Sequence, residues 1–253
     1  MRFLAMVQAR CGSTRLPNKV LMDLAGKPAL QRTVERVQQS KYLDEVIVVT
    51  SINKENMSII KLCCELNIRI FIGSEDDVLD RFYQAAKLIE PEYVVRITAD
   101  CPLYDASCLD LAIEQLESDI DYIAQLDQET FPDGLDIEII RFSALKRAWD
   151  EARLQSEREH VTQYIRKNRG IFKLKEIKCP LGNLGNERWT LDEAKDYQML
   201  SAVYKHFVAQ GNEYPKAEEV LAFLNCHPDI HGLNREFKRN EGLLKSLEND
   251  KKL

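Results

Sequence analysis

The chain has 253 residues, 45% hydrophobic and 30% charged, with a net charge of −6. Such a length buries a full core without staples, and the acidic balance excludes a general nucleic-acid binder, which would present a basic face. No apolar run is long enough to span a membrane, and the short N-terminal run lacks a signal-peptide cleavage site. The elements follow in order. Phe3 to Ala9 is an unbroken apolar run, expected as a buried strand. It ends in Arg10-Cys11-Gly12-Ser13-Thr14-Arg15-Leu16-Pro17-Asn18-Lys19, a small, basic, hydroxyl-rich loop. Glycine lets backbone approach phosphate oxygens, and Arg and Lys neutralise their charge. A surface turn with solvated charges is the other reading. The position right behind the first buried strand favours phosphate.

Leu30, Thr33, Val34 and Val37 recur at helical spacing behind Pro28. Glu45 to Ser51 is β-branched and predicts a strand. Lys54 to Leu66 predicts a helix, Ile68 to Ile72 a strand, and Val78 to Ile89 one apolar helix face after a Gly73-Ser74 turn. Tyr93 to Thr98 is a strand broken by Ala99-Asp100-Cys101-Pro102. A helix through Leu109 to Leu116 and a strand from Tyr122 to Gln125 complete the alternation. The pattern predicts an α/β fold with a three-layer, mainly parallel, Rossmann-like sheet in one domain. Beyond residue 125 the alternation fails. Phe131 to Phe142 predicts a turn and then an alternating strand. Ser143 to Arg169 predicts a long polar helix, Phe172 to Ile177 and Arg188 to Asp192 predict strands, and Ala194 to Phe207 a helix. Residues 126–187 are expected as an α+β insertion on that domain, and the charged segment from His227 as helical at its close.

Ligands of an open parallel sheet bind beyond the carboxyl ends of its strands. Arg10 to Lys19, Gly73 to Arg81 and Asp100 each follow a strand, so they are expected to meet along one edge. Neither G-x-G-x-x-G nor G-x-x-x-x-G-K-[ST] is present, which disfavours a dinucleotide fold and a P-loop enzyme. The seven cysteines show no C-x-x-C spacing. Reduced thiols in a cytoplasmic protein are the expectation.

What does stand behind the first strand, Ala9 to Lys19 followed by Gly26-Lys27-Pro28, resembles the nucleotide loop of cytidylyltransferases that activate acidic sugars. Ser13 to Pro17 with Lys19 is similar to the octulosonate type and Gly12-Ser13 to the acylneuraminate type. Asp77 to Arg81, Thr98 to Leu103, Phe131 to Glu138, Glu157 to His160 and Trp189 to Asp192 are similar to the spore-coat polysaccharide branch. The resemblance covers nearly the whole chain. It implies CMP transfer from CTP to an acidic sugar with release of pyrophosphate, Mg2+ as cofactor, and a homodimer in which residues 126–187 take part, with no nucleic acid and no membrane insertion.

Site expectations join residue chemistry to that resemblance. Arg10, Arg15 and Lys19 are assigned to the triphosphate, and Arg15 and Lys19 also to the departing pyrophosphate. Ala9, Gly12, Ser13, Gly73 and Ser74 belong to the nucleotide site. Asp80 and Arg81 are candidates for base or ribose, with a helix-surface ion pair as the alternative. Thr98 stands where the octulosonate type reads the base. Asp100, at a strand end, is a metal-ligand candidate and Asp192 the second that the family suggests; a helix N-cap is the alternative for each. Asp133, Asp136 and Glu138 are expected to bind acceptor hydroxyls or assist deprotonation, with Asp136 and Glu138 on one strand face. Arg158 and His160 are expected to bind an acidic acceptor. A GT-A glycosyltransferase, a nucleotidyltransferase acting on a phosphorylated or phosphonate acceptor, and a non-catalytic nucleotide sensor are the other classes.

Overall fold

The computed structural model describes residues 2–248 and 250–252. Seven strands form one sheet: β1 (Phe3–Gln8), β2 (Glu45–Ser51), β3 (Ile70–Gly73), β4 (Tyr93–Thr98), β5 (Tyr122–Ala124), β6 (Glu138–Arg141) and β7 (Leu174–Glu176), in the spatial order β3-β2-β1-β4-β6-β5-β7. β6 alone runs against the others, pairing antiparallel with β4 and β5. The helices are α1 (Ala29–Val37), α2 (Met57–Glu65), α3 (Val78–Ile89), α4 (Ala106–Glu114), α5 (Phe142–Glu151), α6 (Gln155–Glu159), α7 (Gln163–Lys167), α8 (Ala194–Ala209), α9 (Ala217–Cys226), α10 (Pro228–His231) and α11 (Glu241–Glu248).

The strands are apolar on both sides because both faces are covered. Phe3, Ala5, Val7, Val95 and Ile97 pack against α1, α4, α8 and α9, whereas Leu4, Met6, Val49 and Val94 pack against α3, α5 and α7. Helix, sheet, helix is the three-layer α/β arrangement that the alternation predicts. Residues 126–187 supply β6, β7 and α5 to α7 to the same sheet.

Three local expectations need correction. The alternating strand begins only at Glu138. Ahead of it, Pro132 and Gly134 turn the chain, with the Leu135 N–H on the Pro132 carbonyl at 3.0 Å, so Asp136 precedes the strand instead of sharing its face with Glu138. The long helix over Ser143 to Arg169 is three helices. The Glu157 carboxylate caps the free N–H groups of Arg153 and Leu154, both at 3.1 Å, and starts α6 afresh; Val161 at φ 30° then separates α6 from α7. Arg188 to Asp192 forms no strand, only an isolated bridge between Arg188 and Asp133. The charged segment closes in α11; its residues 249 and 253 lie outside the described residues. All seven cysteines are free.

Candidate active site

The sheet changes direction of growth between β1 and β4: β2 and β3 lie on one side of β1, and β4 lies on the other. Loops leaving the carboxyl ends of two such strands part, and the crevice between them is where open α/β sheets bind ligands. The loop after β1 is folded on itself. The Cys11 carbonyl accepts from the N–H groups of Ser13 at 2.8 Å and Asn18 at 3.2 Å, the Ser13 hydroxyl accepts from the Leu16 N–H at 3.2 Å, and Asn18 takes φ 58°. The Cys11 N–H is held by the Asn56 side chain at 2.8 Å. Gly12 lies so close to Glu55 that a Cβ would collide with its carboxylate. This winding delivers Lys19 under the crevice.

Lys19 is buried, and its ammonium donates to Asp100 at 2.5 Å and to Asp192. Arg15 reaches the other oxygen of Asp192 at 2.9 Å, Glu193 at 3.3 Å and Glu241 at 3.2 Å. The loop behind β1, the loop behind β4 and the segment before α8 therefore meet on one charged cluster. Burial would raise the Asp100 carboxyl, but the Lys19 charge and hydrogen bond, with help from Thr98, hold it down to about 2. Burial would lower Lys19, and its two carboxylate partners raise it instead.

Backbone hydrogen bonds fix this cluster. The segment 187–191 lies between the Asp133 turn and the Asp100 loop: Asp133 N–H to the Glu187 carbonyl at 2.9 Å, Trp189 N–H to the Asp133 carbonyl at 2.7 Å, and Leu191 N–H to the Asp100 carbonyl at 2.8 Å. Gly134 is required there. Its φ is +103°, and a Cβ would stand 2.7 Å from the Thr190 nitrogen and the Trp189 carbonyl carbon. Beneath, Arg188 holds fully buried Asp196 with two hydrogen bonds of 2.8 and 2.9 Å, and donates to Asp133 at 2.9 Å.

Beside the cluster opens a cleft of about 340 Å³. Arg15, Thr98, Asp100, Asp133, Asp136, Glu138, His160 and Asp192 line it, as do Arg96, Gln125 and Arg166. Glu138 is buried in a network of donors: Arg96 at 2.5 Å, Thr162 at 2.7 Å and the Tyr122 hydroxyl. Burial would raise it, and Arg96 and Arg166 lower it more. Asp136 accepts from Gln125 at 2.5 Å and from Arg239. The His160 Nε2 is buried with no hydrogen-bond partner among the described residues, 3.9 Å from a Glu159 carboxylate oxygen. Burial lowers the His160 imidazole against the pull of Glu159, and Arg96 and Arg10 add to the lowering.

A strap, residues 234–248, roofs the cleft. Asn234 donates to the Arg188 carbonyl and to Asp196, both at 2.9 Å. Arg239 donates to the Phe131 carbonyl at 2.8 Å and to Asp136, Glu241 meets Arg15, and Ser246 donates to Glu159 at the end of α6 at 3.1 Å. Sequence reasoning missed Arg96, Arg166, Arg188, Arg239 and Glu241. Arg96 had a signal, being a charge inside the otherwise apolar run Tyr93 to Ile97. The strap residues Arg239 and Glu241 fall in the closing region His227 to Leu243, which also resembles the spore-coat branch, but nothing in their own chemistry set them at the site before the fold brought them back over the sheet.

Other expected residues stand apart from the cleft. Arg10 is exposed on the shoulder of the crevice, 3.8 Å from Glu75, and Ala9 is buried with its N–H on the Val49 carbonyl. The β3–α3 loop, two strands away from β1, meets the loop behind β1 at Glu75, which stands 3.8 Å from Arg10. Asp80 accepts from Trp149 at 2.7 Å and ties α3 to α5. Arg81 lies buried under Gly73 and donates to the Ser74 carbonyl at 2.6 Å; burial pushes its guanidinium down to about 10. Asp80 and Arg81 do not pair with each other. The Ser74 hydroxyl accepts from the Asp77 N–H at 3.1 Å, a turn that opens α3. Arg158 grips Asp77 at 2.5 Å and the Trp149 carbonyl at 2.8 Å, away from the cleft lining. Among the described residues no group of three or more His, Cys, Asp or Glu converges as a ready metal site.

A family model described as cytidylyltransferase matches residues 4–225. The chain is 37% identical over 242 residues to an uncharacterised protein of Methanocaldococcus jannaschii, covering 94% of this chain and 97% of that one. It is 33% identical to the spore coat polysaccharide biosynthesis protein SpsF of Bacillus subtilis, covering 89% and 95%. A solved cytidylyltransferase from Leptospira borgpetersenii superposes with a TM-score of 0.87 at 29% identity, over 94% of this chain and all of that one.

Proposed function

The chain belongs to the cytidylyltransferase family, and from that premise we propose that it transfers CMP from CTP to an acidic sugar of the 3-deoxy-ulosonic type, with release of pyrophosphate. The single observation behind this reading is the charged cluster. Lys19 from behind β1 grips both aspartates that close the crevice, Asp100 from behind β4 and Asp192 before α8, and Arg15 grips the second of them. In-line attack of an acceptor oxygen on the α-phosphorus asks the protein to position reactants and stabilise charge. Arg15 and Lys19 stabilise the leaving pyrophosphate, each worth about 3 kcal/mol of transition-state free energy. Arg10, exposed on the shoulder, attracts the phosphate chain.

The cluster also fits Mg2+. Asp100, Asp192, Glu193 and Glu241 outnumber Arg15 and Lys19, and a triphosphate adds more negative charge. Asp100 and Asp192 offer hard carboxylate oxygens already drawn together on one cation, and Mg2+ completes such a set with water and phosphate. Bound there, the metal supplies charge neutralisation and Lewis acidity at the phosphates. The acceptor belongs in the cleft, where Arg96, Arg166 and His160 suit an acid group and Asp136 and Gln125 suit hydroxyls. Surface polysaccharide or glycoconjugate synthesis follows from the SpsF likeness. A homodimer acting in the cytoplasm belongs to the same proposal.

The test is pyrophosphate release with magnesium, each of the four nucleoside triphosphates and a panel of 3-deoxy-ulosonic acids. The expected result is release with CTP and one of the acids. Nucleotide binding without release from any pair refutes the transferase reading. Release only with a sugar 1-phosphate or a phosphonate refutes the acceptor class. A nucleoside diphosphate product marks a GT-A glycosyltransferase, a reading that Asp100 disfavours by standing without a second aspartate two residues away.

A further inference from the structure

Asp133, Asp136 and Glu138 all line the cleft, and the structure separates them as proton acceptors. Glu138 is filled by three hydrogen-bond donors and held ionised by Arg96 and Arg166. Asp136 is committed to Arg239 and Gln125. Asp133 has one donor, Arg188 at 2.9 Å on Oδ2, and its Oδ1 has none among the described residues. Its backbone is bonded on both sides to the segment that carries Asp192, and that segment is bonded in turn to Asp100. The Asp133 backbone is thereby tied to the segments that carry both carboxylates of the charged cluster, and its Oδ2 is anchored on Arg188. Arg188 stands between Asp133 and Asp192, 3.7 Å from the latter.

We propose that Asp133 is the catalytic base of the transfer. Its Oδ1 takes the proton of the acceptor hydroxyl as that oxygen bonds to the α-phosphorus. The bond from the α-phosphorus to the bridging oxygen breaks, and its electron pair leaves on pyrophosphate. This rests on the cytidylyl-transfer reading above. The surroundings suit the role. Burial and neighbouring Asp136 push the Asp133 carboxyl up to about 7, Arg239 of the strap and Arg188 pull it back, and Asp192 pushes with Asp136. A base near the working pH gives the best product of ionised fraction and proton affinity.

The experiment compares wild type, Asp133→Asn and Asp133→Glu for pyrophosphate release between pH 5 and 9, with CTP affinity by calorimetry and melting temperature as controls. Wild-type kcat/KM is expected to rise with pH through a limb near 7. Asp133→Asn is expected to lose about a hundredfold to ten-thousandfold in kcat, as for loss of a general base, with the limb gone and CTP binding kept. Asp133→Glu restores part of the rate. Release by Asp133→Asn within about fivefold of wild type, or a limb that survives in it, overturns the inference. No release by wild type overturns the transfer reading and the inference together. Where Asp133→Asn does not fold, the wild-type profile decides: a flat kcat/KM from pH 5 to 9 overturns the base.

Discussion

Replacing Lys19 by methionine keeps the length of the side chain and removes the charge that joins Asp100 to Asp192. A carboxyl held at about 2 against an ordinary 3.8 gains about 2 kcal/mol from its partner at neutral pH. For a chain of this size that is roughly 4–8 °C of melting temperature. The sign with pH is fixed by the two shifts. The depressed Asp100 contributes fully above 3.8 and loses its contribution as pH falls toward 2. The raised Lys19 contributes fully below 10.5 and loses its contribution as pH rises beyond its folded value. The gap between wild type and Lys19→Met is therefore a plateau from about pH 4 to pH 10, closing on the acid side first. Magnesium works the other way. Two aspartates freed of their ammonium take the ion more readily, so Mg2+ raises the melting temperature of Lys19→Met more than that of wild type. Scanning calorimetry across pH with and without Mg2+ reads all of this. A variant that melts within 1 °C (about 0.3–0.5 kcal/mol) of wild type at pH 7, with no larger response to Mg2+, refutes the reasoning.

Asp100→Asn is expected to fold and bind nucleotide while losing roughly two orders of magnitude or more in rate; a near-normal rate in the pyrophosphate assay makes Asp100 a structural residue. Gly134→Ala forces a Cβ to 2.7 Å from the Trp189–Thr190 backbone at a positive φ, and is expected to cost about 1–3 kcal/mol in urea unfolding. Because that backbone carries Asp192, its kcat falls as well, even at temperatures where the variant is fully folded. Glu241→Gln removes one of the three carboxylates around Arg15 in a half-exposed ion pair, a contact worth about 0.2–1 kcal/mol. Nucleoside triphosphate should bind up to about fivefold more tightly in calorimetry, and unchanged or weaker binding shows that Glu241 does not compete for Arg15.

The two-sided burial of Phe3 to Gln8, Glu45 to Ser51 and Tyr93 to Thr98 is a local property of the residues, and these strands were legible with little error. So was the adjacency of Lys19 and Asp100, since it follows from β1 and β4 being neighbours. The reversal of β6 was not legible, because an alternating strand looks the same in either direction and its partners lie 14 to 48 residues away. The break between α5 and α6 was hidden because no Gly or Pro marks it; a glutamate four residues on makes the cap. Asp80, Arg81 and Arg158 carry charge in a suggestive order along the chain. Their fate is decided by Trp149, Ser74 and Asp77, which only packing brings to them. For the same reason Arg188 could not be told from a surface arginine until buried Asp196 was seen beneath it.

The strap separates in time what the sheet joins in space. A ribosome has delivered every strand once β7 is made, yet Arg239 and Glu241 follow only after α8, α9 and α10. A chain made only as far as β7 lacks α8 and α9, which cover one face of the sheet, as well as the roof. Asn234 is the point where roof and floor are joined, through Arg188 and Asp196. The cleft can therefore be completed only once the last helices have been made, and a chain cut short after α10 would lack Arg239 and Glu241 above it.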